Sequence, residues 1–325
     1  MPRSSRMDVE ALLRAAAVCA VVFNHAHVYG GHTTQFTGGM TVLLLLSGHS
    51  FARFTLVTGS RRLVSAGLIK LGVTLLMPSI LLVLVSFAIK RTVSWPELLM
   101  VSNWSSGKYL SLFPIWYPQV VLQLLAGLAV LLWTPTLWRR FCGAPLGWSL
   151  ALFGSAVLVR AGAPLLWQTD ALHHRLPHLL AWNFILGWVI FFGRRTMEEQ
   201  GRLWMCTICA SAAFIGWPAT TPQPYGLSIA AALLIYMPQI SVAPAMARVA
   251  SILSQSAFTI FLLHTIALGA FRAIAPWRSP TTASLVSILA CVTVWLVVTS
   301  AWRALRQPPP KPSGFQAANP PVGVT

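Results

Sequence analysis

The sequence predicts an all-α polytopic membrane bundle of about ten transmembrane helices, with both termini in the cytoplasm. Its 325 residues are 56% hydrophobic and only 9% charged, with a mean hydropathy of +0.70. This composition is too apolar for a soluble globular protein. A bilayer-spanning helix needs about 20 mostly apolar residues, so a chain of this length has room for about ten.

Apolar runs support that number one by one. They cover residues 9–28, 38–58, 66–89, 116–134, 145–160, 178–193, 203–217, 225–240, 252–275 and 281–302. Pro78, Pro118 and Pro238 interrupt three of them, which blurs the predicted boundaries. The first run is not a cleavable signal peptide, because acidic residues and Arg14 break the basic-then-apolar order. Residues 1–306 form one predicted membrane domain, and the Pro-rich segment 307–325 is a predicted disordered tail.

The positive charge is a topology signal. The chain carries 23 Lys and Arg against 6 Asp and Glu, a net charge of +17. These cations fall mainly between apolar runs, so we expect no nucleic-acid partner. Arg14 lies inside the first run, and fifteen cations fall on the side of the N-terminus. The seven on the opposite side are Lys90, Arg91, Lys108, Arg160, Arg175, Arg272 and Arg278. The positive-inside rule therefore places both termini in the cytoplasm.

No metal or redox centre is expected. The five cysteines lie mostly inside apolar segments, where cysteine is a small packing residue. Cys206 and Cys209 have CxxC spacing, but no second pair accompanies them.

Two ionisable residues stand in the first apolar run. Arg14 and His25 are eleven residues apart, which is three helical turns plus about 20°, so they share a helix face about 16 Å apart. Ionisable groups inside a membrane are costly and indicate a functional interior. The alternative is structural: Arg14 pairs with Glu10 at i,i+4 or reaches the interface, and His25 bonds a neighbouring helix.

Further polar residues lie in other runs. Ser47 and His49 belong to the second run, and His264 belongs to the ninth. We expect His25, His49 and His264 at similar depths in the middle or outer half of the membrane, where they would converge on one cavity.

Several stretches together resemble the acyltransferase 3 family of integral membrane acyltransferases. SRMDVEALLRAAAVCAVVFNHAHVYGG, followed by GGMTVLLLLSGHSFARF, is similar to the family's opening, with an Arg-x10-His pair and a Ser-Gly signature. RRLVSAGLIKLGVTLLMP, LFPIWYPQVVLQLL, HLLAWNFILGWVIFFGRR and LSQSAFTIFLLHTI resemble later family motifs in the same order. The resemblance covers about residues 6–303, and His49 stands where the family usually has Phe.

The resemblance implies transfer of an acyl group, most often acetyl, from cytoplasmic acyl-CoA to a hydroxyl of a carbohydrate or glycolipid. It implies a protein of the bacterial cytoplasmic membrane, with His25 as the base and Arg14 aiding donor binding. The chemistry of the residues agrees, because histidine is a base near neutral pH and cations bind the phosphates of the donor.

Other residues complete the expected site. Arg61, Arg62 and Lys70 would bind donor phosphates, or else serve topology alone. The expected residues that line the site or touch substrate are Ser47, His49, Trp116, Tyr117 and His264. Acetyl-CoA would be a co-substrate, and no metal is required.

Three other functions remain open. Buried Arg and His also mark the pathway of a transporter or flippase. Pairs of His ligate haem in membrane b-type cytochromes. An intramembrane serine protease would pair Ser47 with His264, although the sequence around Ser47 lacks the setting of a nucleophile elbow.

Overall fold

The computed structural model describes residues 5–29, 38–104, 115–166, 175–215 and 225–306, and these residues are almost entirely α-helical. The all-α prediction is confirmed, and the predicted tail 307–325 lies outside the described residues. The helices are α1 (Val9–Tyr29), α2 (Gly39–Phe54), α3 (Arg61–Lys90), α4 (Trp95–Leu98), α5 (Trp116–Trp133), α6 (Pro135–Gly143), α7 (Pro145–Leu166), α8 (Pro177–Thr196), α9 (Glu199–Ile215), α10 (Tyr225–Tyr236), α11 (Pro244–Ile274) and α12 (Pro280–Arg306).

Each of the ten apolar runs corresponds to one of these helices, and α4 and α6 are short additions. In the described part of the chain, seven helices are long and apolar enough to cross a bilayer: α1, α2, α3, α5, α7, α11 and α12. The other three runs form α8, α9 and α10, of which α10 has only 12 residues. The protein is therefore a helical membrane protein.

Two short strands, which the sequence did not predict, join the start of the chain to a later segment. β1 (Ser5–Asp8) pairs antiparallel with β2 (Gln239–Val242), with Ser5 opposite Val242 and Asp8 opposite Gln239. The N–H of Val9 extends this pairing by donating to the Pro238 carbonyl at 3.0 Å. The strands satisfy backbone groups that no helix satisfies, and they bring the start of α1 beside the start of α11.

The three prolines interrupt the helices less than predicted. Pro78 lies inside α3, which continues through it from Arg61 to Lys90. Pro118 falls in the first turn of α5, where a helix does not use the backbone N–H. Pro238 lies between α10 and β2, so the apolar run to residue 240 is a shorter helix followed by a strand.

Two glycines allow α2 and α8 to touch backbone to backbone. A Cβ on Gly48 would overlap the backbone of Phe184, and a Cβ on Gly187 would overlap the backbone of His49 and Leu45. Close approach through small residues is typical of packed membrane helices. This contact holds α2 at a fixed position along α8.

A second contact surface places α1 against α11 and α12. Val18 and Val22 of α1 pack with Ile260 and Leu268 of α11 and with Cys291 of α12. α1 also packs against α2. The first helix therefore lies between α2 and α11, and side chains from these two helices meet those of α1.

We expect Gly187→Ala to destabilise the fold, because the added methyl group meets backbone atoms that no rotamer change can move. Overpacking typically costs about 1–3 kcal/mol, so the unfolding midpoint of the detergent-purified protein should fall. The matched control is Gly154→Ala in α7, where an added Cβ meets no atom within 4 Å. Equal unfolding midpoints for the two variants would contradict this account of the α2–α8 contact.

Candidate functional site

A buried carboxylate organises one end of α1. Glu10 is only 5% exposed. Arg14 donates through Nη2 to Glu10 Oε1 at 2.7 Å and to Ser50 Oγ at 2.8 Å. The Ser50 hydroxyl also donates to Glu10 Oε1. Arg14 thus makes the i,i+4 pair that the structural alternative predicted, and the pair is tied to α2 through Ser50.

The second oxygen of Glu10 faces α2 as well. His49 Nδ1 lies 3.1 Å from Glu10 Oε2, and Arg53 Nη1 lies 3.5 Å from it. Arg53 binds Asp8 more closely, at 2.6 Å. Asp8 in turn accepts the backbone N–H of Glu10 at 3.1 Å. Two acidic side chains are therefore matched with cationic and polar partners from α1 and α2.

The predicted convergence of three histidines is wrong for His49. The first turn of α2 lies beside the middle of α1, since a Cβ on Gly39 would meet Ala17 and Val21. α2 then runs toward Glu10, and ten residues of helix cover about 15 Å. His49 therefore lies at the Glu10 end of α1, far from His25.

A cavity of about 610 Å³ lies beside the bonded side chains of Glu10, Arg14 and Ser50. It is enclosed by α1, α2, α3, α5 and α11. Most of its wall is apolar and includes Phe51, Phe258 and Phe261. The polar side chains on the wall are those of Arg14, Ser47, Ser50, Thr55, Lys70, Thr74 and Tyr117. The cavity is a mostly apolar space with two cations, Arg14 and Lys70, on its wall.

Of the other expected phosphate-binding residues, Arg61 and Arg62 do not line this cavity. The Arg61 guanidinium donates to the backbone carbonyl of Trp133, which ties the start of α3 to the end of α5. Arg62 is exposed at the same helix start. Lys70 lies nine residues after Arg61 in α3, and its side chain lines the cavity.

Tyr117 and Phe261 form part of the cavity wall. The Tyr117 hydroxyl donates to the Leu43 carbonyl at 3.3 Å, so it accepts the Ser47 hydroxyl at 2.9 Å. The rings of Tyr117 and Phe261 lie 5.0 Å apart, and Phe261 lies 5.8 Å from the ring of His264. The wall of the cavity is therefore in contact with His264.

His264 bonds directly to His25. His25 Nδ1 and His264 Nε2 are 2.6 Å apart, and the two rings stack with centroids separated by 4.8 Å. His264 Nδ1 faces the carbonyl oxygens of Ile260 and Phe261 at 3.1 and 2.8 Å. Since carbonyls only accept, His264 Nδ1 carries hydrogen.

The protonation of the pair follows from that bond. In a neutral His264, Nε2 holds the lone pair and accepts the hydrogen on His25 Nδ1. A neutral His25 then has its own lone pair on Nε2. The carbonyls of α11 thus select the tautomer of His25 in which Nε2 is basic.

Trp116 and Tyr117 differ from the expected stacking surface. Tyr117 is buried, and its ring packs on Phe261. Trp116 is half-buried, and the guanidinium of Arg175 lies 5.1 Å from its ring centroid. Arg175 also lies close enough to His25 to act on it electrostatically. A cation thus stands near the histidine pair.

Sequence reasoning missed the residues that connect these groups: Ser50, Arg53, Arg175 and Phe261. A signal existed for Arg53, because the chain has only 6 acidic residues and two of them, Asp8 and Glu10, lie on either side of the first residue of α1. Acidic groups next to a membrane span need cationic partners, and Arg53 is the one cation in α2. Nothing in the spacing indicated Phe261, whose place depends on how α5 and α11 pack.

The structure does not form the sites that a serine protease or a b-type cytochrome would need. Ser47 bonds Tyr117 rather than His264, so the expected protease pair is not formed. The direct contact between the rings of His25 and His264 leaves no room for iron between them.

No family model matches the chain, and neither a curated protein nor a solved structure is significantly similar to it. The histidine pair and the neighbouring cavity are therefore the basis for assigning a function.

Proposed function

We propose that the protein is a membrane-embedded acyltransferase of the acyltransferase 3 type. It moves an acetyl group from cytoplasmic acetyl-CoA to a hydroxyl of a cell-envelope carbohydrate or glycolipid in the bacterial cytoplasmic membrane. The observation that carries the proposal is the His25–His264 hydrogen bond beside a cavity that also holds Arg14 and Lys70. A thioester donor has the same layout, with phosphates at one end and a reactive carbonyl at the end of a long arm.

The donor binds through its phosphates at the cationic part of the cavity. Lys70 offers a mobile point charge, and Arg14 offers a guanidinium held in place by Glu10 and Ser50. Arg61 and Arg62 add positive charge at the start of α3, the helix that carries Lys70. The apolar wall accommodates the arm, whose reactive end approaches Tyr117 and Phe261. Phe261 lines the cavity and contacts His264, so its ring turns aside when the thioester reaches the base.

His25 acts as the general base. Its Nε2 takes the proton of the acceptor hydroxyl while the acceptor oxygen forms a bond to the thioester carbonyl carbon. The C–S bond then breaks, and the leaving thiolate of CoA takes the proton back from His25. His264 accepts the hydrogen on His25 Nδ1 throughout, so it orients the ring and stabilises the imidazolium, as the third group of a catalytic triad does. The products are an ester and CoA, and His25 is neutral again.

Tyr117 and Ser47 act on the other side of the reacting carbonyl. Their hydroxyls bond each other at the end of the cavity, 2.9 Å apart. A hydroxyl that turns toward the thioester oxygen stabilises the negative charge that develops there. Arg175 packs on the ring of Trp116 and lies near His25, so these two side chains offer a surface for the acceptor.

A transporter or flippase for a glycan or lipid-linked substrate is the second candidate, favoured by the position of the cavity between spanning helices. An assay in detergent distinguishes the two functions. Acyl transfer continues without a sealed membrane, whereas transport requires two compartments.

We expect His25→Gln to abolish acetyl transfer. Glutamine keeps a polar contact to His264 but is not a base, and loss of a general base costs about 10²–10⁴-fold in rate. The measurement is the O-acetyl content of envelope glycans in a deletion strain that carries each variant. His27→Gln is the matched control, since His27 lies on another face of the same helix. Near-parental acetylation by His25→Gln would overturn the mechanism, and an acetyl group trapped on His25 would make this residue a carrier.

We expect Tyr117→Phe to lower kcat with little change in KM for acetyl-CoA. Loss of one oxyanion donor typically costs about 10²–10³-fold in kcat, whereas the Phe ring keeps its packing on Phe261. Steady-state release of CoA by purified protein with envelope glycan as acceptor measures both constants. A change confined to KM would assign Tyr117 to donor binding instead.

The proposal includes ten spans, with α8, α9 and α10 completing the seven, and both termini in the cytoplasm. An activity reporter fused after Arg306 should therefore read as cytoplasmic, as should one fused before Arg6. The control fusion, within the α11–α12 connection near Arg278, should read as external. An external reading after Arg306 would contradict this topology.

A further inference from the structure

Four arginines gather where α2 and α8 end and α9 begins. Arg53 lies in the last turn of α2, Arg194 and Arg195 in the last turn of α8, and Arg202 near the start of α9. Arg202 and Arg53 are close enough to Arg194 to repel it electrostatically, and Asp8 is close enough to attract it. Asp8 is already bound by Arg53 at 2.6 Å. Positive charge is therefore in excess around Arg194.

Packing between α8 and α9 holds two of these arginines together. A Cβ on Gly193 would overlap the sulfur of Met205, so the two helices touch at this point. Arg194 follows Gly193 directly, and Arg202 lies three residues before Met205. Their backbones are therefore fixed beside each other.

Protein carboxylates do not neutralise this pair. In the described part of the chain, the ion pairs of Asp8 and Glu10 go to Arg14, His49 and Arg53, and Glu198 and Glu199, which lie beside Arg202 in sequence, form none. The Nε atoms of Arg194 and Arg202 are buried and donate to no protein atom in the same described residues. A buried N–H without an acceptor costs free energy, and an anion that the pair binds removes this cost.

The helix ends differ in what they favour. The C-terminus of α8 favours cations, which suits Arg194. The N-terminus of α9 favours anions, and Glu199 in its first turn already supplies one. An anion between the two arginines would satisfy both guanidinium groups. Phosphate suits two arginines best, because each planar guanidinium can bond two of its oxygens.

We propose that Arg194 and Arg202, with Arg53 beside them, form a binding site for a phosphate group. Two sources share this chemistry: the phosphates of a soluble nucleotide and the phosphodiester headgroup of an anionic lipid. These residues do not line the 610 Å³ cavity, and the site does not depend on the acyltransferase proposal.

The test compares three forms of the full-length purified protein. The first is unaltered, the second carries Arg194→Gln and Arg202→Gln, and the third carries Arg139→Gln and Arg140→Gln. The third removes the same charge from exposed side chains, so it is the matched control. Adenosine 3′,5′-bisphosphate is titrated by calorimetry in detergent. Thermal unfolding is compared between nanodiscs of phosphatidylglycerol and nanodiscs of phosphatidylcholine.

We expect the Arg194→Gln, Arg202→Gln protein to lose at least tenfold in affinity for the nucleotide, or to lose the stabilisation that phosphatidylglycerol gives. The first result identifies a nucleotide phosphate as the ligand, and the second identifies a lipid headgroup. The control should change less than twofold in affinity and keep its stabilisation. Unaltered values in both arms, or equal losses in the control, would overturn the phosphate site.

A second variant covers the case in which the glutamine protein does not fold. Arg194→Lys with Arg202→Lys keeps both charges but loses the planar forks, so affinity or stabilisation should still fall, by at least threefold in the nucleotide arm. Full retention would overturn the site. Acetyl transfer by the same proteins keeps this result separate from the acyltransferase proposal, because transfer that depends on His25 survives failure of the phosphate site.

Discussion

A carboxylate buried in an apolar bundle is the constraint on which this structure depends. Moving an ionised carboxylate out of water costs several kcal/mol unless partners compensate, and Glu10 is only 5% exposed. Its partners are Arg14 on the same helix and His49, Ser50 and Arg53 on α2. Because all these bonds must form together, the register of α1 against α2 is fixed. The glycine contact then transfers that register from α2 to α8.

The same constraint explains how Arg14 faces the cavity without losing its fixed position. A free arginine loses rotamer freedom when it binds a ligand, but the Glu10 and Ser50 bonds have already ordered this side chain. α1 is also a continuous helix from Val9 to Tyr29, so Arg14 and His25 are held about 16 Å apart along its axis. In the proposed reaction, this fixed separation sets the distance between the phosphates of the donor and the base.

The sequence predicted the parts of the fold that hydropathy controls, and it missed those that depend on packing between distant segments. Each of the ten apolar runs contains one α-helix, because a chain in lipid must satisfy its backbone internally. The contact of His25 with His264 was likewise accessible, since both lie in apolar runs at compatible depths. The depth of His49 in the membrane could not be predicted, because hydropathy does not reveal that α2 begins beside Ala17 and Val21. The β1–β2 pairing joins residues more than 230 positions apart, and four-residue strands leave no periodic signal.

His25 is partnered by a second histidine and not by a carboxylate. The surroundings of His264 explain why. His264 of α11 is fully buried, and an ionised aspartate in its place would need the kind of compensation that Glu10 receives. A neutral imidazole accepts the same hydrogen bond without a buried charge, and the carbonyls of Ile260 and Phe261 fix its tautomer. The consequence is a weaker stabilisation of the imidazolium, because a lone pair attracts it less than a negative charge does. In the proposed mechanism a neutral pair is therefore sufficient, because the base holds its proton briefly and returns it to the leaving thiolate.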